Sequence, residues 1–231
     1  MGKIVAIGGG FGGCDEDFLI RHILTLSGKE RPAYLQIPTT QFDLPDRGKL
    51  SRFSNWGCEV DVLCLSHDGV TEDIIAEKIR RADVINVPGG NLGYLSRIWK
   101  RTGVEKYLKE AYEQGKVLFG ESSGSMCWFQ EGYDDCGPEN EFMFVEALGL
   151  LPYCNCPHYE GRSWQSFNEA VKTRKISGIA CENETALCFA DGERYILHAS
   201  ARPDGRCWFF DAADGFRRYD LEQHPEILNN L

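Results

Sequence analysis

The stretch KVLFGESSGSM (residues 116–126) runs from an apolar segment into a glycine, then through small polar residues into the start of an amphipathic run. A β-strand that ends on glycine and turns at once into a helix belongs to a parallel sheet with helical crossovers. Working outward from it, similar apolar segments recur: KIVAIG (3–8), AYLQIPT (33–39), EVDVLCLS (59–66) and ADVINVPG (82–89). Helical patterns lie between them, near 15–26, 43–56, 71–81 and 103–114. Strands carrying Val, Ile and Leu on both faces have helices on both sides. The order predicts an α/β fold: a three-layer α/β/α sandwich around a mainly parallel sheet.

After Gly149 the texture changes. LLPYCNCPHYEGRSW (150–164) reads as an irregular segment, followed by a helix near 164–174, then ISGIACE (176–182) and two hairpin-like units with turns at Asp191-Gly192 and Asp214-Gly215. These predict antiparallel hairpins near the C-terminus. No repeat or Gly/Pro/Ser-rich linker divides the 231 residues, so 1–231 reads as a single domain.

The chain carries 35 acidic against 25 basic residues, a formal net charge of −10, and no basic cluster beyond pairs such as Arg80-Arg81. Nucleic acid and anionic membranes are therefore poor partners. No apolar run reaches the roughly 18 residues of a spanning helix, and the N-terminus lacks signal-peptide features, which predicts a cytoplasmic protein. Ten cysteines follow no disulfide framework and read as reduced, mostly buried thiols. The sequence leaves the oligomeric state open, a homodimer included, and implies no cofactor.

Gly120-Glu121-Ser122-Ser123-Gly124 fits G-x-S-x-G in the strand-to-helix setting that a nucleophile elbow requires. Ser122 has a glycine two places to either side and is the candidate nucleophile. Ser123 follows it and offers a backbone N–H to an oxyanion. The plainer reading is a helix N-cap with glycine turns. A serine nucleophile needs a base, and of the five histidines His158, in CNCPHYEG, lies in an irregular segment of the kind that carries function. His67 ranks second. An acid should orient the imidazole; Asp134 and Asp135 lie between serine and histidine, with Glu121, Glu131 and Glu139 nearby. Residues 86–95, NVPGGNLGYL, follow a strand, and their glycines can bring backbone N–H groups to a ligand. A tight turn capped by Asn91 fits them equally well.

Three rival chemistries are weaker. Gly8-Gly9-Gly10-Phe11-Gly12-Gly13 matches a dinucleotide fingerprint, but Asp15, Glu16 and Asp17 would set negative charge where a pyrophosphate needs the positive end of a helix. Cys154-x-Cys156-x-His158 with Cys136 could ligate zinc, yet the spacing is tighter than in common sites. A glutaminase would need a cysteine at the elbow, and Cys127 lies a turn too late.

Taken in order, PGGN, GESSGS and NCPHY resemble the peptidase E (aspartyl dipeptidase) family of serine peptidases, which includes the cyanophycinase relatives. The resemblance spans IVAIGGG to GIACENETAL. It implies a flavodoxin-like fold similar to class I glutamine amidotransferases, with Ser122 as nucleophile, His158 as base, and Gly90 and Ser123 as oxyanion donors, Asn91 beside them. It further implies Asp135 as the triad acid, with Asp134, Glu121 and Glu139 as alternatives. Arg162 would hold an aspartyl carboxylate, so the implied substrate is a small peptide, including dipeptides with N-terminal Asp. Two departures stand out: Ser123 where the family commonly has alanine, and a different segment after His158, which marks a side branch. A cyanophycinase-like hydrolase and an inactive relative binding a small acidic ligand are the alternatives.

Overall fold

The computed structural model describes residues 2–10, 17–200 and 202–231. In chain order the elements are β1 (Lys3–Ile7), α1 (Asp17–Thr25), β2 (Ala33–Gln36), α2 (Arg47–Asn55), β3 (Glu59–Val62), α3 (Glu72–Arg81), β4 (Val84–Val87), α4 (Leu92–Thr102), α5 (Val104–Glu113), β5 (Val117–Glu121) and α6 (Ser123–Met126). They continue with β6 (Phe129–Asp134), β7 (Met143–Glu146), β8 (Leu151–Cys156), α7 (Phe167–Ala170), β9 (Gly178–Cys181), β10 (Thr185–Ala190), β11 (Glu193–His198), β12 (Cys207–Asp211), β13 (Arg217–Asp220) and α8 (Pro225–Leu228). Among the described residues no helix is long and apolar enough to cross a membrane.

The first sheet has the order β11-β10-β1-β5-β4-β2-β3. β1 through β5 run parallel, and the β10–β11 hairpin adds an antiparallel edge against β1. Both faces are apolar, as the sequence pattern requires. Ile4, Leu35, Ile85 and Leu118 pack on the side of α3, α4 and α5 with Ile75, Leu95 and Leu108. Val5, Tyr34, Val84 and Phe119 pack on the other side with Ile20 of α1 and Phe53 of α2.

Local signals explain the helix ends. The Asp46 side chain accepts from Lys49 N at the start of α2, and Thr71 does the same for Ile74 N at α3. α3 also begins with Glu72 and Asp73 and ends with Lys78, Arg80 and Arg81, which matches the helix dipole.

A second sheet, β13-β12-β9-β8-β6-β7, departs from the sequence reading. The segment after Ser122 reads as a continuing helix, and 150–164 as irregular; instead α6 stops at Met126, and β6 and β8 are neighbouring parallel strands. Met126 through Phe129 are all fully buried, so the run carries no helical periodicity to separate helix from strand. The helix expected over 164–174 is broken into short turns around α7. Phe167 and Val171 from this segment cover Tyr133, Cys154, Cys156 and Phe210 on the outer face of the second sheet.

Candidate active site

Loops at the carboxyl ends of β1, β4, β5, β8 and β9 meet at one place, the edge of an α/β sheet where ligands bind. β5 delivers Ser122 on a sharp turn. Its backbone sits at φ 54, ψ −127, a region that non-glycine residues occupy only when the surroundings impose it. Ser122 N donates to Ile7 O at 3.1 Å, and Ser122 O accepts from Ser125 N at 2.9 Å and Ser125 Oγ at 2.7 Å. Ser125 thus closes the first turn of α6. A Cβ at Gly124 would lie 1.9 Å from Val87 O, so the elbow can press against β4 only with glycine there.

His158 follows β8 and is partly exposed, as is Ser122. Its Nε2 lies 2.7 Å from Ser122 Oγ and its Nδ1 2.5 Å from Asn183 Oδ1. The imidazole is held from the opposite side by β1. His158 N donates to Gly8 O at 2.8 Å, and a Cβ at Gly9, whose φ is 116, would fall 2.1 Å from His158 Cε1. Gly9 therefore serves the close approach of the histidine ring, while Gly8 meets the Glu182 backbone and Gly10 the side chains of Asn183 and Glu184. Phe11 to Glu16 of the dinucleotide-like stretch, Gly12, Gly13 and the acidic Asp15 and Glu16 included, lie outside the described residues, as does the Asp17 side chain.

The carboxylates expected between serine and histidine do not meet the imidazole; Asn183, which follows both in sequence, does. Asp135 is exposed, and the Nδ1 that it would orient is already bonded to Asn183. Asp134 is buried beside the PGGN loop: its Oδ2 accepts from Leu92 N at 2.8 Å, and both carboxylate oxygens lie 3.4 Å from Ser123 Oγ. Glu121 forms a buried ion pair with Lys49 of α2. Glu139 is exposed in a turn. Glu131 pairs with Arg174, whose Nε donates to Oε2 at 2.8 Å. Asn183 itself is held by Glu160, whose Oε2 accepts Asn183 N at 2.9 Å. An amide oxygen accepts a hydrogen bond from the imidazole N–H as a carboxylate does, and Cys-His-Asn sites use that substitution.

On the other side of Ser122, Ser123 opens α6, so its N–H has no partner one turn back in the helix. Its hydroxyl donates to Gly90 O at 2.8 Å and so ties the elbow to the PGGN loop. Asn91 departs from its expected place among the oxyanion donors. Its N–H is spent on Thr40 O at 2.9 Å, and its side chain caps α4 by accepting from Tyr94 N at 2.7 Å. Arg162, implied by the resemblance to hold an aspartyl carboxylate, is exposed. The other candidates are accounted for. Cys127 is wholly buried, and burial pushes its thiol far above the usual range. His67 is exposed beyond β3 at the far edge of the first sheet. Cys154 Sγ faces Glu131 and Cys156 Sγ faces Pro157 O, while both ring nitrogens of His158 are engaged elsewhere, so these three do not converge on a metal.

Burial pushes the Asp134 carboxyl up from 3.8 to about 6, against the opposing effect of the Leu92 N–H. The folded chain thus holds this proton where the unfolded chain has lost it. The associated stability is present below about pH 4 and lost as pH rises through 6. Asp134→Asn keeps an acceptor for Leu92 N without the charge. Urea unfolding should find the variant more stable than wild type at pH 8, by up to about 3 kcal/mol, with the gap closing below pH 4. A gap that widens on acidification would contradict this.

The sequence matches the profile of peptidase family S51 over residues 4–197. It is 31% identical over 205 residues to YgaJ, an uncharacterized peptidase of Bacillus subtilis (strain 168), covering 84% of this chain and 86% of that one. It is also 27% identical over 158 residues to the pyridoxal 5′-phosphate synthase subunit PdxT of Pyrococcus horikoshii, covering 67% and 74% of the two chains. The crystal structure of a peptidase from an acI-B1 Actinobacterium shares the fold, with TM-score 0.68 and 16% identity over 96% of this chain and 94% of that one. With its elbow serine, its histidine after β8 and a profile match over most of its length, the chain belongs to peptidase family S51 and is a peptidase.

Proposed function

We propose that this peptidase hydrolyses small peptides by serine acyl-enzyme chemistry. Ser122 Oγ attacks the scissile carbonyl while His158 Nε2 takes its proton. The tetrahedral oxyanion is held by the N–H groups of Gly90 and Ser123, and His158 then protonates the leaving amine. Water deacylates Ser122 by the same route in reverse. Asn183 Oδ1 fixes the tautomer with hydrogen on Nδ1, which leaves Nε2 free to accept. The observation that carries this reading is the continuous chain from Ser122 Oγ through both ring nitrogens to Asn183, at 2.7 and 2.5 Å. An N-terminal Asp preference has no support here, because Arg162 is exposed.

The test is covalent trapping. A fluorophosphonate should add one phosphonyl group to the protein, mapped by peptide mass spectrometry to Ser122, and should stop hydrolysis of a dipeptide panel in proportion. An adduct on another residue, or loss of activity to chelators with no adduct, would overturn the assignment.

A further inference from the structure

We propose, resting on the serine-hydrolase reading, that Trp164 and Phe142 form an aromatic subsite for the leaving side of the substrate, selecting peptides with an aromatic or large apolar residue immediately after the scissile bond. The direction follows from the chemistry. His158 must hand its proton to the leaving amine, so the residue carrying that amine lies against the accessible side of the imidazole. The aromatic ring beside the imidazole is Trp164, whose centroid is 5.1 Å from that of His158 at a tilt of 49°. Phe142 meets Trp164 edge-on at 4.8 Å and 82°, and Tyr133 stacks behind Phe142 at 5.1 Å and 20°.

This wall is fixed at the back and open at the front. Tyr133 is 5% exposed, with its hydroxyl 3.0 Å from Ser166 Oγ, whereas Phe142 and Trp164 are only partly buried. A rigid, half-covered pair of rings beside a catalytic base offers edge-to-face and stacking contacts to a further ring.

Charge argues in the same direction. Arg202 is shared among Glu160, Glu182 and Asp204, each at 3.7 Å, and Lys49 is paired with Glu121. Arg162 is exposed, where a lone ion pair contributes little. Glu182 and Glu184 flank Asn183 in sequence, so a substrate side-chain carboxylate buried beside them would meet repulsion.

The experiment compares kcat/KM for Ala-Phe, Ala-Trp, Ala-Leu, Ala-Gly, Ala-Asp and Ala-Lys with the full chain, then repeats it with Trp164→Ala, Phe142→Ala and Trp164→Phe. The readout is the ratio between two substrates within one variant, which does not depend on the fraction of folded enzyme. Wild type should prefer Ala-Phe over Ala-Gly at least about tenfold and over Ala-Asp by more. The alanine variants should collapse that ratio, mainly by raising KM for Ala-Phe, and Trp164→Phe should keep most of it. A flat panel, a preference for Ala-Asp, or a wild-type ratio in both alanine variants overturns the subsite. So does failure to cleave any aromatic dipeptide. Fluorophosphonate labelling of Ser122 in that case would leave the hydrolase reading standing, whereas absence of labelling would remove both.

Discussion

Ser122→Ala should lower kcat/KM on the preferred peptide by at least about four orders of magnitude, with KM little changed and the fold intact. Among the described residues the hydroxyl bonds to His158 Nε2, and Ser122 keeps its place through backbone bonds to Ile7 O and from Ser125 N, which alanine preserves. His158→Ala should fall to a similar level. The double variant should be no worse than either, since nucleophile and base act as one unit whose removal leaves only binding and oxyanion stabilisation. Retention of more than about one per cent of wild-type turnover in Ser122→Ala would mean that some other group attacks the substrate. Additive losses in the double variant would mean that serine and histidine work on separate steps.

Gly9→Ala should cost about 100-fold in kcat/KM, although Gly9 takes no part in the chemistry. The new methyl group would stand 2.1 Å from His158 Cε1 and 2.9 Å from Nε2, so the ring must retreat by an ångström or more. A displacement of that size in a catalytic group costs about 100-fold in rate. The φ of 116 at Gly9 adds backbone strain, so loss of activity alone would be ambiguous. Gly28→Ala supplies the control: it also replaces a glycine at positive φ, 68, but nothing lies within 4 Å of its added Cβ. Gly28→Ala should lose some thermal stability and keep full turnover. Gly9→Ala with wild-type kcat would show that the imidazole is not pinned against β1.

These two results test parts of the site that differ in how readable they are from sequence. Ser122 stands out because the elbow is local: glycine spacing and the strand-to-helix change are contained in five residues. The parallel strands and helices α2, α3 and α5 are readable for the same reason, since burial on two faces or one writes its period into the chain. His158 is harder, and depends on its irregular surroundings and on family resemblance. Asn183 leaves almost no local trace. An asparagine between two glutamates at a turn reads as turn chemistry, and the search for an orienting acid falls naturally on carboxylates between serine and histidine. Only the packing of β9 beside β8 brings position 183 under the imidazole. The three glycines after β1 did hold a usable signal, because such a run marks a close approach. At Gly9 the approaching group is the His158 ring.

Asn183 also changes what the site asks of its surroundings. A carboxylate in this place takes up a proton when the medium becomes acid enough, and its bond to the imidazole then alters. An amide has no proton to gain or lose in any medium that leaves the protein folded. Asn183 therefore brings no titrating group to the bond, and the carboxylate bonded to it, Glu160, holds the Asn183 backbone rather than the ring. Orientation and charge, usually combined in one side chain, are divided here between two residues that selection or mutagenesis can alter separately.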